Sequence, residues 1–302
     1  MQKRYIVIVA LLVVLSTGKA NATEFIVNDF TTDTVSPSTP GTLRYAIDMS
    51  NGSPGYNTIL FDNSASQTII LSSPFLTPSQ SLNGSQVVFS LKNPGSVTLS
   101  ISTKPTNFSN ISLLEIGSTG TPVVIPTQFN IDAQGSNHVN AIYGLNYVNI
   151  YGDYGGNISA VSQTGDYARG IYAENNDLTI KGYLVGHVSA ETTVGSLAYG
   201  MYAKGNNSGG DLSIGGLIAG SSVIAISGSD GAIGLAAHNN LLISGDMAGQ
   251  VSARAVAGDF AYALVARNNL TIKGYLVGHV SAEAPMGSMA FGKRLATNDS
   301  VI

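Results

Sequence analysis

The heptapeptide Ile-x-Gly-x-x-x-Gly begins at Ile150, Ile180, Ile214, Ile243 and Ile272, and the chain ends on a further such Ile, Ile302. Successive Ile residues lie 30, 34, 29, 29 and 30 positions apart. A period near 30 marks a stacked-repeat architecture, in which each unit buries its apolar face only against its neighbours. The stretch Leu178 to Glu191, LTIKGYLVGHVSAE, returns letter for letter from Leu270 to Glu283, an offset of 92 residues that equals three units.

Laid over one another, the copies share an apolar slot after the first Gly, filled by Tyr154, Leu184, Ile218, Met247 and Leu276. A second slot holds Ile158, Val188, Val251 and Val280, followed two residues later by Ala160, Ala190, Ala253 and Ala282. A third holds Ile142, Ile171, Met201, Leu235 and Leu264, with small partners Gly144, Ala173, Ala203, Ala237 and Ala266 two residues on. This period of two is strand alternation. Short strands stacked at ~4.8 Å enclose one continuous core, which predicts an all-β, right-handed parallel β-helix with rungs of about 29 residues. Helical solenoids share the period, but the Gly and β-branched content of each unit opposes helix.

Asn146, Asn176, Asn207, Asn240, Asn269 and Asn298 precede the Ile residues. Asn suits a tight corner, and stacked amides can hydrogen-bond from rung to rung, so a ladder is expected there. The slot before it reads Leu145, Glu174, Gly205, His238 and Arg267, a variation expected of a solvent-facing position. The 34-residue copy is expected to carry its extra length as loops at Asn206 to Gly210 and Ser221 to Asp230.

The first 22 residues follow the secretory pattern: Lys3 and Arg4, an apolar run from Tyr5 to Leu15, and small residues Ala20 and Ala22. Cleavage is expected before Thr23. The apolar run is shorter than the ~20 residues needed to span a bilayer, so no membrane span is expected in the mature chain. Loss of three cations and no acid takes the formal charge from −4 to −7. Nucleic acid is therefore an unsuitable partner, since phosphate needs a basic face. The chain has no Cys, so no disulfide supports the fold.

From Thr23 to residue 137 the period is not visible, but the apolar runs Thr68 to Leu71, Val87 to Leu91 and Val97 to Ile101 read as strands of less regular rungs. The regular repeats occupy residues 138–302 and stop mid-repeat. Within Gly41 to Asp48, Leu43, Ala46 and Ile47 share one helical face, and Arg44 and Asp48 share another. This predicts a short N-terminal helical cap over otherwise exposed strand edges.

The leader, the run GTLRYAI at Gly41 to Ile47, NTILFD at Asn57 to Asp62 and the Cys-free Gly/Asn/Ser-rich repeats resemble the passenger domains of autotransporters. That resemblance implies export, display as a long β-helix at the cell surface or outer membrane, and adhesive or host-contact roles. The family also carries a C-terminal membrane β-barrel, for which nothing after the last rung provides strands. The final repeat fits poorly, with Lys293 in a slot otherwise Ile, Met or Leu, so a fragment or a truncated chain is expected, periplasmic in the latter case.

Parallel β-helices also host polysaccharide lyases and hydrolases, whose chemistry needs converging carboxylates with a His and a cation. The acids are scattered instead: Asp153 and Asp246 share a slot with Tyr183, Leu217 and Tyr275, and Asp166 and Asp259 share a turn position with Ser196 and Ser288. His187 and His279 occupy one slot with Asn157, Ser221 and Gln250, three rungs and about 14 Å apart, too far to share a metal. The remaining two, His138 and His238, also stand apart. The calcium nonapeptide of β-solenoids is absent, and NNSGGD at Asn206 to Asp211 is its nearest match. Hence no catalytic, cofactor or metal residue is assigned. Tyr151, Tyr172, Tyr183, Tyr202 and Tyr275 are candidates for aromatic strips contacting glycan. The expectation is a non-catalytic, adhesin-like solenoid with host-surface or glycan ligands. The alternatives are a polysaccharide-binding or polysaccharide-cleaving β-helix and a passive stalk.

Overall fold

The computed structural model describes residues 23–301, except 32–38, 54–55, 63–65, 72–85, 92–96, 102–109, 117–121, 126–128, 207–208, 288 and 296–299. The expected leader, Asn207, Ser288, Asn298 and Ile302 lie outside the described residues. The described chain forms one helix, α1 (Leu43–Gly52), and 25 strands. Every strand pairs in parallel with the strand one rung away, which builds three sheets. The first has ten strands, from Thr23–Val27 to Ser300–Val301; the second has eight, from Gln67–Leu71 to His279–Glu283; the third has seven, from Asn110–Ile116 to Met289–Leu295. In the regular rungs the chain visits the sheets in that order and returns, as a right-handed parallel solenoid.

Ile150, Ile180, Ile214 and Ile243 stack in consecutive register in the first sheet and are all but inaccessible, and Ile272 continues the column. The second sheet adds Ile158, Val188, Val223, Val251 and Val280, and the third adds Ile142, Ile171, Met201, Leu235 and Leu264. Val223 and Ala225 fill the long copy's share of the second-sheet columns. Each such side chain, fully buried, contributes roughly 1.5–3 kcal/mol, and no rung encloses them without its neighbours. The motif glycines permit that stacking. A Cβ at Gly186 would lie 2.1 Å from the Gly156 carbonyl oxygen, and one at Gly278 would lie 1.9 Å from that of Gly249.

The long copy departs from its expected alignment. A register shift between Ile180 and Tyr183 pairs Tyr183 with Gly216 and Leu184 with Leu217. Leu217 therefore occupies the buried apolar slot, while Ile218 is 37% exposed, and Gly216 rather than Leu217 takes the position shared by Asp153 and Asp246. The expected loop at Ser221 to Asp230 contains the strand Ser222–Ser227, in register with its neighbours. The added residues lie mainly at the other expected loop, between Ala203 and Leu212, where Gly205 and Gly210 adopt positive φ of 57° and 93°.

The upstream apolar runs fall within strands Gln67–Leu71, Gln86–Leu91 and Val97–Ile101 of the same sheets. Their period is hidden because connections vary: Ile59 to Phe89 is 30 residues, Val87 to Val123 is 36, and Val123 to Ile150 is 27.

Thr42 caps α1 by accepting the Tyr45 N–H, and Leu43, Ala46 and Ile47 join the end of the core beside strands Thr23–Val27 and Tyr56–Phe61. Arg44 departs from its expected outer face: it is only 1% exposed, whereas Asp48 is exposed. The helix is enclosed beyond its apolar stripe, so the residue next to Leu43 is covered as well. No helix among the described residues is long and apolar enough to cross a membrane.

Candidate functional site

The outer face of the third sheet differs from the rest of the surface because each of its strands bends. Gly170 drops out of the ladder between Arg169 and Ile171, and both Gly170 and Ile171 face inward. A Cβ at Gly170 would meet the Val188 side chain at 2.5 Å and the Gly200 carbonyl oxygen at 2.6 Å. Gly200 and Gly234 repeat the arrangement in the next rungs. In a straight strand residues three apart point to opposite faces. Here two consecutive inward residues bring their outer flanks together, so the Arg169 guanidinium sits 4.2 Å from the Tyr172 ring centre and the Tyr199 and Tyr202 rings stack at 4.6 Å.

Repeated along the axis, the bend makes a two-column furrow. One column runs Asn140, Arg169, Tyr199, Ile233, Tyr262 and Phe291, and the other runs Tyr143, Tyr172, Tyr202, Ala236 and Val265. Tyr143, Tyr172 and Tyr202 follow one another with ring centres 5.8 and 5.6 Å apart. Ile233, Ala236 and Tyr262, packed by Tyr199, Tyr202, Phe260 and Val265, form an apolar cluster separate from the solenoid core. Burial pushes the hydroxyls of Tyr172, Tyr199 and Tyr202 well above the ordinary phenol range, against a smaller opposing pull from Arg169. They remain neutral donors at physiological pH.

Arg169 is the charged element of the furrow. Its guanidinium lies 4.4 Å from the centre of the Tyr167 ring as well as against Tyr172, and Nη1 donates to Asn140 Oδ1 at 3.2 Å. Nε is buried without a hydrogen-bond partner. The nearby Glu174 is occupied elsewhere, accepting from the Tyr143 hydroxyl and pairing with Lys204 at 3.6 Å.

Of the tyrosines read as strips, Tyr172 and Tyr202 share this furrow. Tyr151, Tyr183 and Tyr275 lie with the first sheet, where Lys181 covers Tyr151 at 4.0 Å and Tyr275 is 78% exposed. Arg169, Tyr143, Tyr167, Tyr199 and Tyr262 were missed as site residues. For Tyr143 the signal was positional: it follows the core residue Ile142 by one, as Tyr172 and Tyr202 follow Ile171 and Met201.

The acids serve the backbone. Asp153 Oδ1 accepts the Tyr183 N–H at 2.8 Å, and Asp246 Oδ1 accepts that of Tyr275 at 2.9 Å, so this slot closes rung to rung rather than merely facing water. Asp177 accepts from Gly210 and Asp211, and Asp211 accepts from the Asn239 side chain and from the backbone and side chain of Asn240. Within the NNSGGD match, Asn206, Gly210 and Asp211 are thus engaged in hydrogen bonds between rungs, and no group of three or more metal-ligating side chains gathers among the described residues. Asp166 lies 3.8 Å from His138. His187 and His279 stand three rungs apart in one column with Ser222, not Ser221, between them, and His187 Nδ1 is 2.8 Å from Ser222 Oγ.

The Asn ladder exists with altered membership. The side-chain amide of Asn175 bonds that of Asn146, while Asn176 bonds Asn146 only through the backbone, and the Asn206 amide bonds that of Asn175; beyond Asp211, the Asn268 amide bonds that of Asn239 and the Asn269 amide that of Asn240. Lys204, not Gly205, takes the slot beside it, because its N–H bonds the Ala173 carbonyl as that of Glu174 bonds Gly144. The changing charge there is used between rungs: Lys204 pairs with Glu174, and Arg267 Nη1 lies 2.9 Å from His238 Nε2.

Fold and furrow together define a parallel β-solenoid with a lateral aromatic face. No protein family, curated protein or solved structure compared with the chain gives a match.

Proposed function

We propose that this is a non-catalytic, exported or surface-displayed solenoid of adhesin-like passenger type, which holds glycan along the outer furrow of its third sheet. One observation carries the reading: an apolar, aromatic cluster lies outside the core and runs along the axis through successive rungs. Ile233, Ala236 and Tyr262 are themselves buried, so the surface open to a ligand is that of the partly exposed Tyr199 and Tyr202 packed against them. Tyrosine offers a sugar both a ring against its C–H groups and a hydroxyl for its own hydroxyls. Repetition at ~4.8 Å lets weak contacts add along an extended polymer. The engagement of Asp153, Asp177, Asp211 and Asp246 with backbone N–H groups supports a binding role over a hydrolytic one. The resemblance of Gly41 to Ile47 and of the repeats to autotransporter passengers supports export and display.

The test compares binding of the chain and of Tyr202→Ala to immobilised glycans and host cells, alongside depolymerisation assays on the same glycans. Binding that falls about tenfold or more in the variant is expected. Release of reducing or unsaturated sugar ends would overturn the non-catalytic reading, and equal binding by the two proteins would remove the furrow from it.

A further inference from the structure

A half-buried cation in a low-dielectric setting is costly unless an anion faces it, and charges so placed are normally paired. Arg169 breaks that expectation. Its partners are two aromatic rings and one neutral amide oxygen, and no carboxylate pairs with it among the described residues. The nearest candidate, Glu174, is drawn to Lys204 and Tyr143. Tyr167 and Tyr172 clamp the guanidinium, and Asn140 holds one of its edges, so its plane is fixed before any ligand arrives. A planar, pre-oriented fork of donors suits a carboxylate better than a point charge would.

We propose that Arg169 reads a carboxylate on the bound glycan, making the furrow selective for acidic polysaccharides of the polyuronate class. This rests on the glycan-binding reading of the same furrow. The polymer lies along the axis over Tyr199 and Tyr202, and one uronate carboxylate meets the guanidinium one rung away at Nη2, since Nε is buried and Nη1 is held by Asn140. Other ligands fit less well: a neutral glycan leaves the cation uncompensated, and an acidic peptide offers the charge without a hydroxylated ring for the neutral phenols to meet. Ion pairing in this partly desolvated place is weakened by salt less than a surface contact is, because the Debye screening that removes exposed pairs acts weakly here.

The experiment measures binding of the full chain to polygalacturonate and to the same polymer with its carboxylates methyl-esterified, at low and at 0.5 M salt, the latter a concentration of about 4 Å Debye length. The chain is expected to prefer the acid form by about tenfold or more, a margin retained in part at high salt. Arg169→Gln should abolish the preference by lowering affinity for the acid form at least about tenfold more than for the ester, and Arg169→Lys should restore little of it. Tyr202→Ala should weaken both polymers together. Circular dichroism of each variant confirms that the solenoid is intact. Equal binding of acid and ester by the unaltered chain, with loss of both in Tyr202→Ala, overturns the carboxylate proposal and leaves the glycan reading standing. Binding of neither polymer by the unaltered chain overturns both. A preference that survives in folded Arg169→Gln overturns the assignment to this residue.

Discussion

Tyr154 fills the core slot that Leu184, Leu217 and Met247 hold in the next rungs, and its hydroxyl is accommodated there by donating to the Phe129 carbonyl oxygen at 3.0 Å. Burial pushes that hydroxyl far above the ordinary phenol range, as it does those of Tyr172 and Tyr199. The sign of the resulting pH dependence follows from linkage. Unfolded tyrosines ionise near pH ~10, while these three stay protonated in the fold, so the unfolded state sheds more protons. Stability is complete below pH ~10 and falls above it, by about 1.4 kcal/mol per pH unit for each such tyrosine. Denaturant melts at pH 8, 10 and 11 test this, and Tyr154→Phe should lower the slope by one proton while costing about 0.5–1.5 kcal/mol at pH 8 for the lost hydrogen bond. A second residue-scale expectation concerns Gly186, where Gly186→Ala should cost about 1–3 kcal/mol, because the new methyl meets the backbone of the rung below. The Ile, Val and Ala columns were readable because one period governs them. The burial of Arg44 and the placement of Lys204 were not, since each depends on an enclosure or a one-residue offset that letters alone do not carry.

Elements differ in how much of their behaviour is local. Helix α1 announces itself through Thr42 and its apolar stripe, but its far end is tied down by a strand residue, Asn57. That amide is buried and donates Nδ2 to the carbonyl of Ser50 at 2.9 Å, which also accepts the Ser53 cap N–H, and to that of Ser53 at 3.1 Å, at the end where helix carbonyls lack their usual donors four residues on. Asn57→Ala should therefore loosen the cap by about 1–3 kcal/mol. In a solenoid the effect should stay near its origin, so native-state hydrogen exchange should accelerate in Thr23–Val27 and Tyr56–Phe61 and remain unchanged in Leu178–Leu184. Uniform acceleration would mean that the rungs unfold as one unit. The third-sheet strands show the complementary case. Their core residues alternate legibly, yet the furrow arises from a bend at Gly170 and Gly200 that moves Arg169 onto Tyr172 and Tyr199 onto Tyr202. Period-two reasoning assigns positions three apart to opposite faces, so it had no means of bringing these pairs together.

At the scale of the molecule, the duplicated segment separates what sequence contributes from what stacking contributes. Leu178 to Glu191 and Leu270 to Glu283 are identical, but the strand His187–Thr192 is paired on both sides and His279–Glu283 on one side only among the described residues. The consequence is visible in burial: Leu184 is inaccessible and Leu276 is 49% exposed, and Tyr183 and Tyr275 are 40% and 78% exposed. If local propensity set stability, the two copies would behave alike. If rungs are held mainly by their neighbours, as one-dimensional stacking requires, the outer copy should open far more readily. In the 302-residue chain, amides of Val280 and Ala282 should therefore exchange at least about tenfold faster than those of Val188 and Ala190, a gap of ~1.4 kcal/mol or more in opening free energy. Because the side chains and their sequence neighbours match across the two copies, intrinsic exchange chemistry cancels from the comparison. Matched rates at these paired positions would place the stabilising free energy inside each rung and remove the basis for treating the furrow as a surface that gains affinity by adding rungs.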